Sequence, residues 1–255
     1  MKCDSSDRSS SADLWGSASL SCDRAGIDAS PLPSHDGLVS PSRRSCLTAL
    51  AALAVAPAFA HAQERRHSRQ FPPDKLGELE GPDRERWQQP DTIMDALGIH
   101  EGSIVADLGA GGGWFTVRLA RRVGPNGRVY AEDIQKPMIE SMERRIRREG
   151  LPNVIMVLGD EEDPKVPAPV DAALIVGVYG ELAKPVEWLK NVRRTLKPGG
   201  RVGVVDFRKD GLGPGPDLVE RVDEAEVVKD ASTAGLQLMN RTTQLPFQYL
   251  LVFGK

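Results

Sequence analysis

Ile104-Val105-Ala106-Asp107-Leu108-Gly109-Ala110-Gly111-Gly112-Gly113-Trp114 passes from a short apolar run, through four glycines, into a segment of helical spacing. A run of five apolar or small residues bounded by glycine reads as a buried strand. From Trp114 to Val123, the apolar residues Phe115, Val117, Leu119, Ala120 and Val123 mark a helix. Gly124-Pro125-Asn126-Gly127 ends that helix and turns the chain. The glycine loop therefore joins a strand to a helix, the place where open α/β sheets bind ligands at their carboxyl edge. Glycine there lets the backbone come close to a ligand and adopt torsions closed to other residues.

The same alternation continues outward. Arg128 to Asp133 reads as a second strand, and Pro137 opens a helix in which Met138, Met142 and Ile146 share a face. Strands follow at Val154 to Leu158 and Val170 to Val176, then a helix from Pro185 to Leu196. The turn Lys197-Pro198-Gly199-Gly200 leads to a strand from Arg201 to Phe207. A helix from Asp217 to Ala234 and two strands, Leu236 to Asn240 and Phe247 to Phe253, are expected to close the domain. Alternating strands and helices require parallel strands with helices on both faces, a doubly wound Rossmann-like α/β sheet. The last two strands, with no helix between them, are expected to form an antiparallel hairpin at one edge. The expected organisation is an extension over 1–41, a signal-like segment over 42–62, a linker or arm over 63–82, and the α/β domain over 83–255.

The glycine spacing selects among nucleotide sites. A dinucleotide fingerprint G-x-G-x-x-G would place its third glycine at position 114, which is Trp114. No Lys-Ser or Lys-Thr pair follows, which excludes a phosphate-cradling P-loop. The pattern is D-x-G-x-G-x-G, opened by Asp107. A carboxylate at that place suits a cofactor with a cationic aminoacyl tail and no phosphates. Asp133, at the end of the second strand, can accept from both hydroxyls of a ribose; Glu132 is the alternative, because strand alternation points only one of them at a ligand. Asp160, in Gly159-Asp160-Glu161 after the third strand, can accept from an exocyclic adenine amine or serve as a turn or cap aspartate.

Together these residues resemble the class I S-adenosylmethionine (SAM)-dependent methyltransferases. Val105 to Gly113 is similar to the family's first motif and Val129-Tyr130-Ala131-Glu132-Asp133-Ile134 to its second. Gly159-Asp160 is similar to the third, and Leu196-Lys197-Pro198-Gly199-Gly200-Arg201 to the loop entering the fifth strand. The resemblance covers roughly residues 87 to 255 and implies a seven-stranded sheet, mostly parallel, whose last strand runs antiparallel. It implies SAM as cofactor, held by Asp107, Gly109, Ala110, Gly111, Gly113, Asp133, Ile134, Asp160 and Glu161. Arg86-Trp87-Gln88-Gln89-Pro90 and Leu245-Pro246-Phe247-Gln248-Tyr249 resemble a bacterial exported group of unassigned substrate.

Methyl transfer from a sulfonium needs no nucleophile on the protein, only positioning and desolvation, unless the acceptor must lose a proton. A base is then sought in Gly177-Val178-Tyr179-Gly180-Glu181, after the fourth strand, where Tyr179 and Glu181 are the catalytic candidates. Gly177 and Gly180 depart from the polar side chains that the resemblance leads one to expect. None of His35, His61, His67 or His100 is placed to act as a base. Trp87 and Trp114 suit either a pocket wall or a core position. No metal constellation is present, since the consecutive acids Asp160-Glu161-Glu162-Asp163 send their side chains in different directions.

A net charge of −3 provides no basic field, so nucleic acid is not the expected partner. Arg144-Arg145-Ile146-Arg147-Arg148 lies among Glu140, Glu143 and Glu149 and reads as a solvated helix face. The cysteines, Cys3, Cys22 and Cys46, all precede the α/β domain, which removes thiolate chemistry from it. Residues 1 to about 40, rich in Ser, Asp, Gly and Pro, are expected to be disordered. Arg43-Arg44, the apolar run Leu47 to Ala60 and the small residues up to Ala62 have the layout of a secretory signal, with a twin-arginine character and cleavage after Ala62. The run is too short to span a bilayer, which takes roughly 20 residues, so no stable membrane span is expected after cleavage. The alternatives are an Ala/Leu helix in the core or at a membrane surface, with the protein remaining cytoplasmic. The long stretch ahead of the arginines points to a start codon near Val39.

The leading functional expectation is methyl transfer from SAM to a small-molecule or protein acceptor in the periplasm. A binding protein that kept the pocket and lost catalysis is the alternative, favoured by Gly177 and Gly180; aminopropyl transfer is a third, opposed by Asp107.

Overall fold

The computed structural model describes residues 70–255. The extension 1–41, the signal-like segment 42–62 and residues 63–69 lie outside the described residues. Seven strands form one sheet: β1 (Ile104–Leu108), β2 (Arg128–Asp133), β3 (Val154–Leu158), β4 (Val170–Val176), β5 (Leu196–Phe207), β6 (Gln237–Thr242) and β7 (Gln248–Gly254). Their order is β3-β2-β1-β4-β5-β7-β6. Pairing is parallel from β3 through β5, whereas β7 runs antiparallel to both β5 and β6. This is the doubly wound sheet expected from the sequence, and the late hairpin inserts β7 beside β5 and leaves β6 at the edge.

Six helices surround it: α1 (Arg84–Gln88), α2 (Pro90–Ala96), α3 (Trp114–Val123), α4 (Lys136–Glu149), α5 (Pro185–Thr195) and α6 (Glu224–Thr233). Because strand side chains alternate, the inner strands feed two cores. On one face Ile93 of α2, Phe115 and Leu119 of α3, and Met142 and Ile146 of α4 pack with Val105, Val129 and Leu174. On the other, Trp188 and Leu189 of α5 and Val227 of α6 meet Ala106, Ile175 and Val204. Met138, Met142 and Ile146 are buried together, as their spacing predicts.

The last two strands and the end of α5 differ from the sequence reading by one or two residues, and two further boundaries differ by more. The last helix begins at Glu224 rather than Asp217, where Asp223 caps it by accepting from the Ala225 N–H at 2.9 Å. The preceding segment is held as a loop by Arg221, whose guanidinium donates to the carbonyls of Pro216, Arg208 and Leu212. β5 starts at Leu196 rather than Arg201, because Leu196 pairs with Val170 before Lys197 to Gly200 bulge out and pairing resumes at Ala172 with Arg201.

Ahead of α1, a turn of 3-10 helix at Pro73–Leu79 brings Leu76 and Glu80 against Gly112 of the glycine loop. Arg145 of α4 binds there too, donating to the Gly112 carbonyl at 2.9 Å and to the Glu80 carboxylate. The described part of the arm therefore lies on the domain beside the site.

Candidate functional site

The sheet order reverses direction at β1, where β2 lies on one side and β4 on the other; this is the switch point at which such sheets open a crevice. The loop after β1 fills it. Gly109 and Gly111 both take positive φ, 68° and 55°. A Cβ on Gly109 would stand 2.6 Å from Val178, whereas one on Gly111 would meet nothing within 4 Å. Gly109 thus serves a close approach between two loops, and Gly111 leaves its backbone open toward free space. Gly113 caps the start of α3, and Ala110 hydrogen-bonds back to β2, its N–H donating to the Glu132 carbonyl at 2.8 Å.

Three carboxyl groups converge on this loop. Asp107 is 2% exposed and accepts from the Thr116 hydroxyl of α3 at 2.6 Å. Burial lifts its carboxyl to about 6, against the opposing pull of the Thr116 hydrogen bond and of Arg84. Glu132, also 2% exposed, accepts from the Gly109 N–H at 3.2 Å; its second oxygen is buried without a partner, and burial lifts the group to about 8. Asp133 accepts from the Gly111 N–H at 2.9 Å and from the Gln135 N–H at 2.8 Å, and burial raises it above the ordinary carboxylate range. Both acids of the second motif therefore touch the glycine loop, each through a different glycine. Ile134 follows at the mouth of the crevice, partly exposed.

Asp160 and Glu161 sit on an exposed turn after β3, at the edge of this buried group, where the Asp160 charge reaches Glu132. The Asp160 carboxylate pairs with Lys165 at 2.9 Å and accepts from the N–H groups of Glu162 and Asp163, contacts that hold it down to about 2. In this structure Asp160 makes the turn contacts weighed as the alternative to an adenine contact.

The two candidates after β4 separate sharply. Tyr179 is wholly buried in the core under α5 and α6, and its hydroxyl donates to Asp230 of α6 at 3.1 Å. That geometry makes it a packing residue. Glu181 turns the other way and accepts from the Phe71 N–H of the arm at 3.2 Å. Burial raises its carboxyl to about 7, with Asp133 and Asp206 nearby adding to the effect.

Several groups at this edge were not singled out from sequence. Asp206, at the end of β5, is buried, accepts from the Phe207 N–H at 2.7 Å and is lifted by burial to about 6. A lone acid in the apolar strand Val202 to Phe207 was the available signal. Arg84 approaches Asp107 from α1, and burial lowers it to about 10. Its guanidinium lies 4.2 Å from the Trp114 ring, and that of Arg118 lies 3.4 Å from the same ring. Trp87 meets Phe207 and Phe247 at 5.9 and 6.2 Å between ring centroids. Trp114 thus packs against the core between two guanidiniums, and Trp87 packs against the end of β5.

A crevice with open space at Gly111 and ringed by carboxyl groups suits a positively charged ligand. Comparison with known proteins agrees. Residues 99–250 match the model of a methyltransferase domain family, and the chain belongs to that family. A solved SAM-dependent methyltransferase from Aquifex aeolicus superposes with a TM-score of 0.68 at 27% identity, covering 72% of this chain and 98% of that one. A ubiquinone/menaquinone biosynthesis C-methyltransferase from Pasteurella multocida is 33% identical over 48% of this chain and 46% of its own length. A nocamycin O-methyltransferase from Saccharothrix syringae is 31% identical over 48% and 46%. The chain thus spans about half the length of these two curated relatives. The cofactor that this family implies is SAM, and the residues fit it: a sulfonium and an ammonium outweigh one carboxylate, which suits Asp107, Asp133 and Glu181 beside Arg84.

Proposed function

We propose that this protein is a methyltransferase that transfers a methyl group from SAM to a small-molecule or protein acceptor. The observation that carries the reading is the pairing of Asp133 with the Gly111 N–H beneath open space, beside the buried Asp107. Backbone from Gly109 to Gly113, with Asp107 beneath it, holds the aminoacyl end. Asp133 accepts from the ribose and Ile134 lies against the base, while Asp160 and Glu161 contribute the outer rim. Bound SAM supplies a methyl on a sulfonium, whose sulfur keeps the C–S bonding pair as the acceptor takes the methyl. Glu181, raised by burial to about 7, takes the proton that the acceptor loses. Asp206 faces it from β5 and keeps the surroundings acidic.

Relatives that methylate carbon and oxygen support either atom as the acceptor. Calorimetry with SAM and with its demethylated product, followed by turnover on an acceptor panel, tests the reading. Failure to bind either ligand would remove it, and tight binding without turnover on any acceptor would favour the non-catalytic binder.

The reading extends to location. Arg43-Arg44, the apolar run to Ala60 and the small residues to Ala62 support membership of an exported bacterial group, with a mature chain beginning at Gln63 in the periplasm. No helix among the described residues is long and apolar enough to cross a membrane. Fractionation with amino-terminal sequencing tests this; a cytoplasmic protein that retains residues 5 to 30 would remove it.

A further inference from the structure

A chain of hydrogen bonds from Arg84 leaves one buried donor without an acceptor. Arg84 can only donate, and its Nε does so to Gln88 Oε1 at 2.6 Å. Gln88 must then present its amide nitrogen, which donates to Gln248 Oε1 at 3.0 Å. Gln248 in turn presents its own nitrogen, which is buried and unpartnered. The guanidinium sets the orientation of both amides, since flipping either would place two acceptors or two donors together. Both glutamines are 1% exposed.

An apolar frame adjoins this donor. Trp87 precedes Gln88, Phe247 precedes Gln248, and Phe207 is the register partner of Gln248 across β5 and β7. The Trp87 ring meets both phenylalanines. The loop after β5 closes over them: a Cβ on Gly213 would stand 2.2 Å from the Phe247 ring, and one on Gly215 would stand 2.7 Å from the Phe207 ring. That loop exposes Leu212, Leu218 and Val219 at 59%, 51% and 91%. Trp87 and Phe247 are themselves partly exposed, so the frame is not sealed.

We propose that Trp87, Phe207, Phe247 and the Gln248 amide form the acceptor subsite, and that the acceptor is a neutral, planar aromatic compound bearing an oxygen that Gln248 hydrogen-bonds. The class follows from the donor. A lysine or arginine side chain in its ordinary charged form offers Gln248 no lone pair and would lose its hydration among the rings. A carboxylate would lose its hydration among the Trp87, Phe207 and Phe247 rings. A phenol or ketone oxygen on a ring satisfies the amide and stacks on the aromatic walls, at ring spacings that such pairs prefer.

This inference rests on the methyltransferase reading and is tested separately from it. The full chain, saturated with S-adenosylhomocysteine, is titrated with 2-naphthol by fluorescence, with decahydro-2-naphthol and naphthalene as competitors. 2-Naphthol should bind at least tenfold more tightly than either the saturated alcohol or the oxygen-free ring. Gln248→Met and Gln248→Leu, which both remove the donor, should each weaken 2-naphthol roughly tenfold while S-adenosylhomocysteine affinity stays within about twofold. Nucleoside binding with no preference among the three ring compounds, or with 2-naphthol affinity unchanged in both variants, would overturn the subsite alone. Absence of nucleoside binding to the wild-type chain would overturn both readings.

Discussion

The Phe71 backbone N–H donates to the Glu181 carboxylate at 3.2 Å, joining the arm to the loop after β4 across 110 residues. Gln135 completes the attachment, its side-chain amide donating to the Phe71 carbonyl at 3.0 Å. The arm therefore touches both Gln135, two residues past β2, and the candidate base. Phe71→Pro removes the donor and with it a contact that lowers the Glu181 pKa. The acidic limb of the pH–rate profile should move upward by about half a unit to one unit. An unmoved limb would detach Glu181 from that profile.

Glu181→Gln keeps the shape and removes proton acceptance. Turnover should fall by about 10² to 10⁴ if the acceptor loses a proton to this group, with S-adenosylhomocysteine affinity held within about threefold. Single-turnover kinetics beside calorimetry make the comparison. A variant that keeps wild-type rates would transfer the role elsewhere.

Asp107 is ionised at neutral pH only against its own burial. Asp107→Asn retains an acceptor for Thr116 and removes the charge, so the ligand-free protein should gain up to roughly 2–3 kcal/mol at pH 7.5. SAM affinity should fall about tenfold or more. Thermal melts with and without SAM check both signs, and a variant that loses stability and keeps affinity would make Asp107 a purely structural acid.

Gly109 and Gly111 make a contrasting pair. Gly109→Ala adds left-handed strain and a contact 2.6 Å from Val178, and should cost roughly 2–4 kcal/mol of stability. Gly111→Ala meets no protein atom and should cost only the backbone strain, about 1 kcal/mol, while filling the space that the ligand needs. Melting points should therefore fall more for Gly109→Ala, and SAM affinity should fall more for Gly111→Ala among the folded proteins.

Asp107, Glu132, Glu181 and Asp206 are all raised by burial, to about 6, 8, 7 and 6. The folded chain then holds more protons than the unfolded chain between about pH 4.5 and 8, so these groups make stability fall as pH rises through that window. A cationic ligand favours the ionised forms, so SAM binding should release protons and tighten roughly tenfold from pH 6 to pH 8. Calorimetry in buffers of different ionisation heat measures the release; identical heats and a flat affinity would contradict it.

The boundaries of β1, α3, β2, β3 and β4 were legible because apolar periodicity and glycine punctuation act locally, through chain stiffness and the burial of one face. The start of α6 was not, because Asp217 to Val222 has ordinary local preferences and is kept out of the helix by Arg221 reaching the Pro216, Arg208 and Leu212 carbonyls. The glycine loop after β1 and the acids that touch it were legible for a similar reason: D-x-G-x-G-x-G and the acids at the end of β2 depend on torsions and charge within short segments.

By itself, the sequence determined the strand–loop–helix unit at Asp107 to Gly113, the alternating sheet around it and the preference for a cofactor without phosphates. Only the tertiary structure decided which side chains share a space. It turned Tyr179 into the core and Glu181 toward the arm, gave Asp133 and Glu132 one glycine each, and joined Gln88 to Gln248 across 160 residues. Local periodicity says which face of an element is apolar. Which distant residue comes to lie against that face is settled by the packing of the whole sheet, where burial, charge and unpaired donors are felt together.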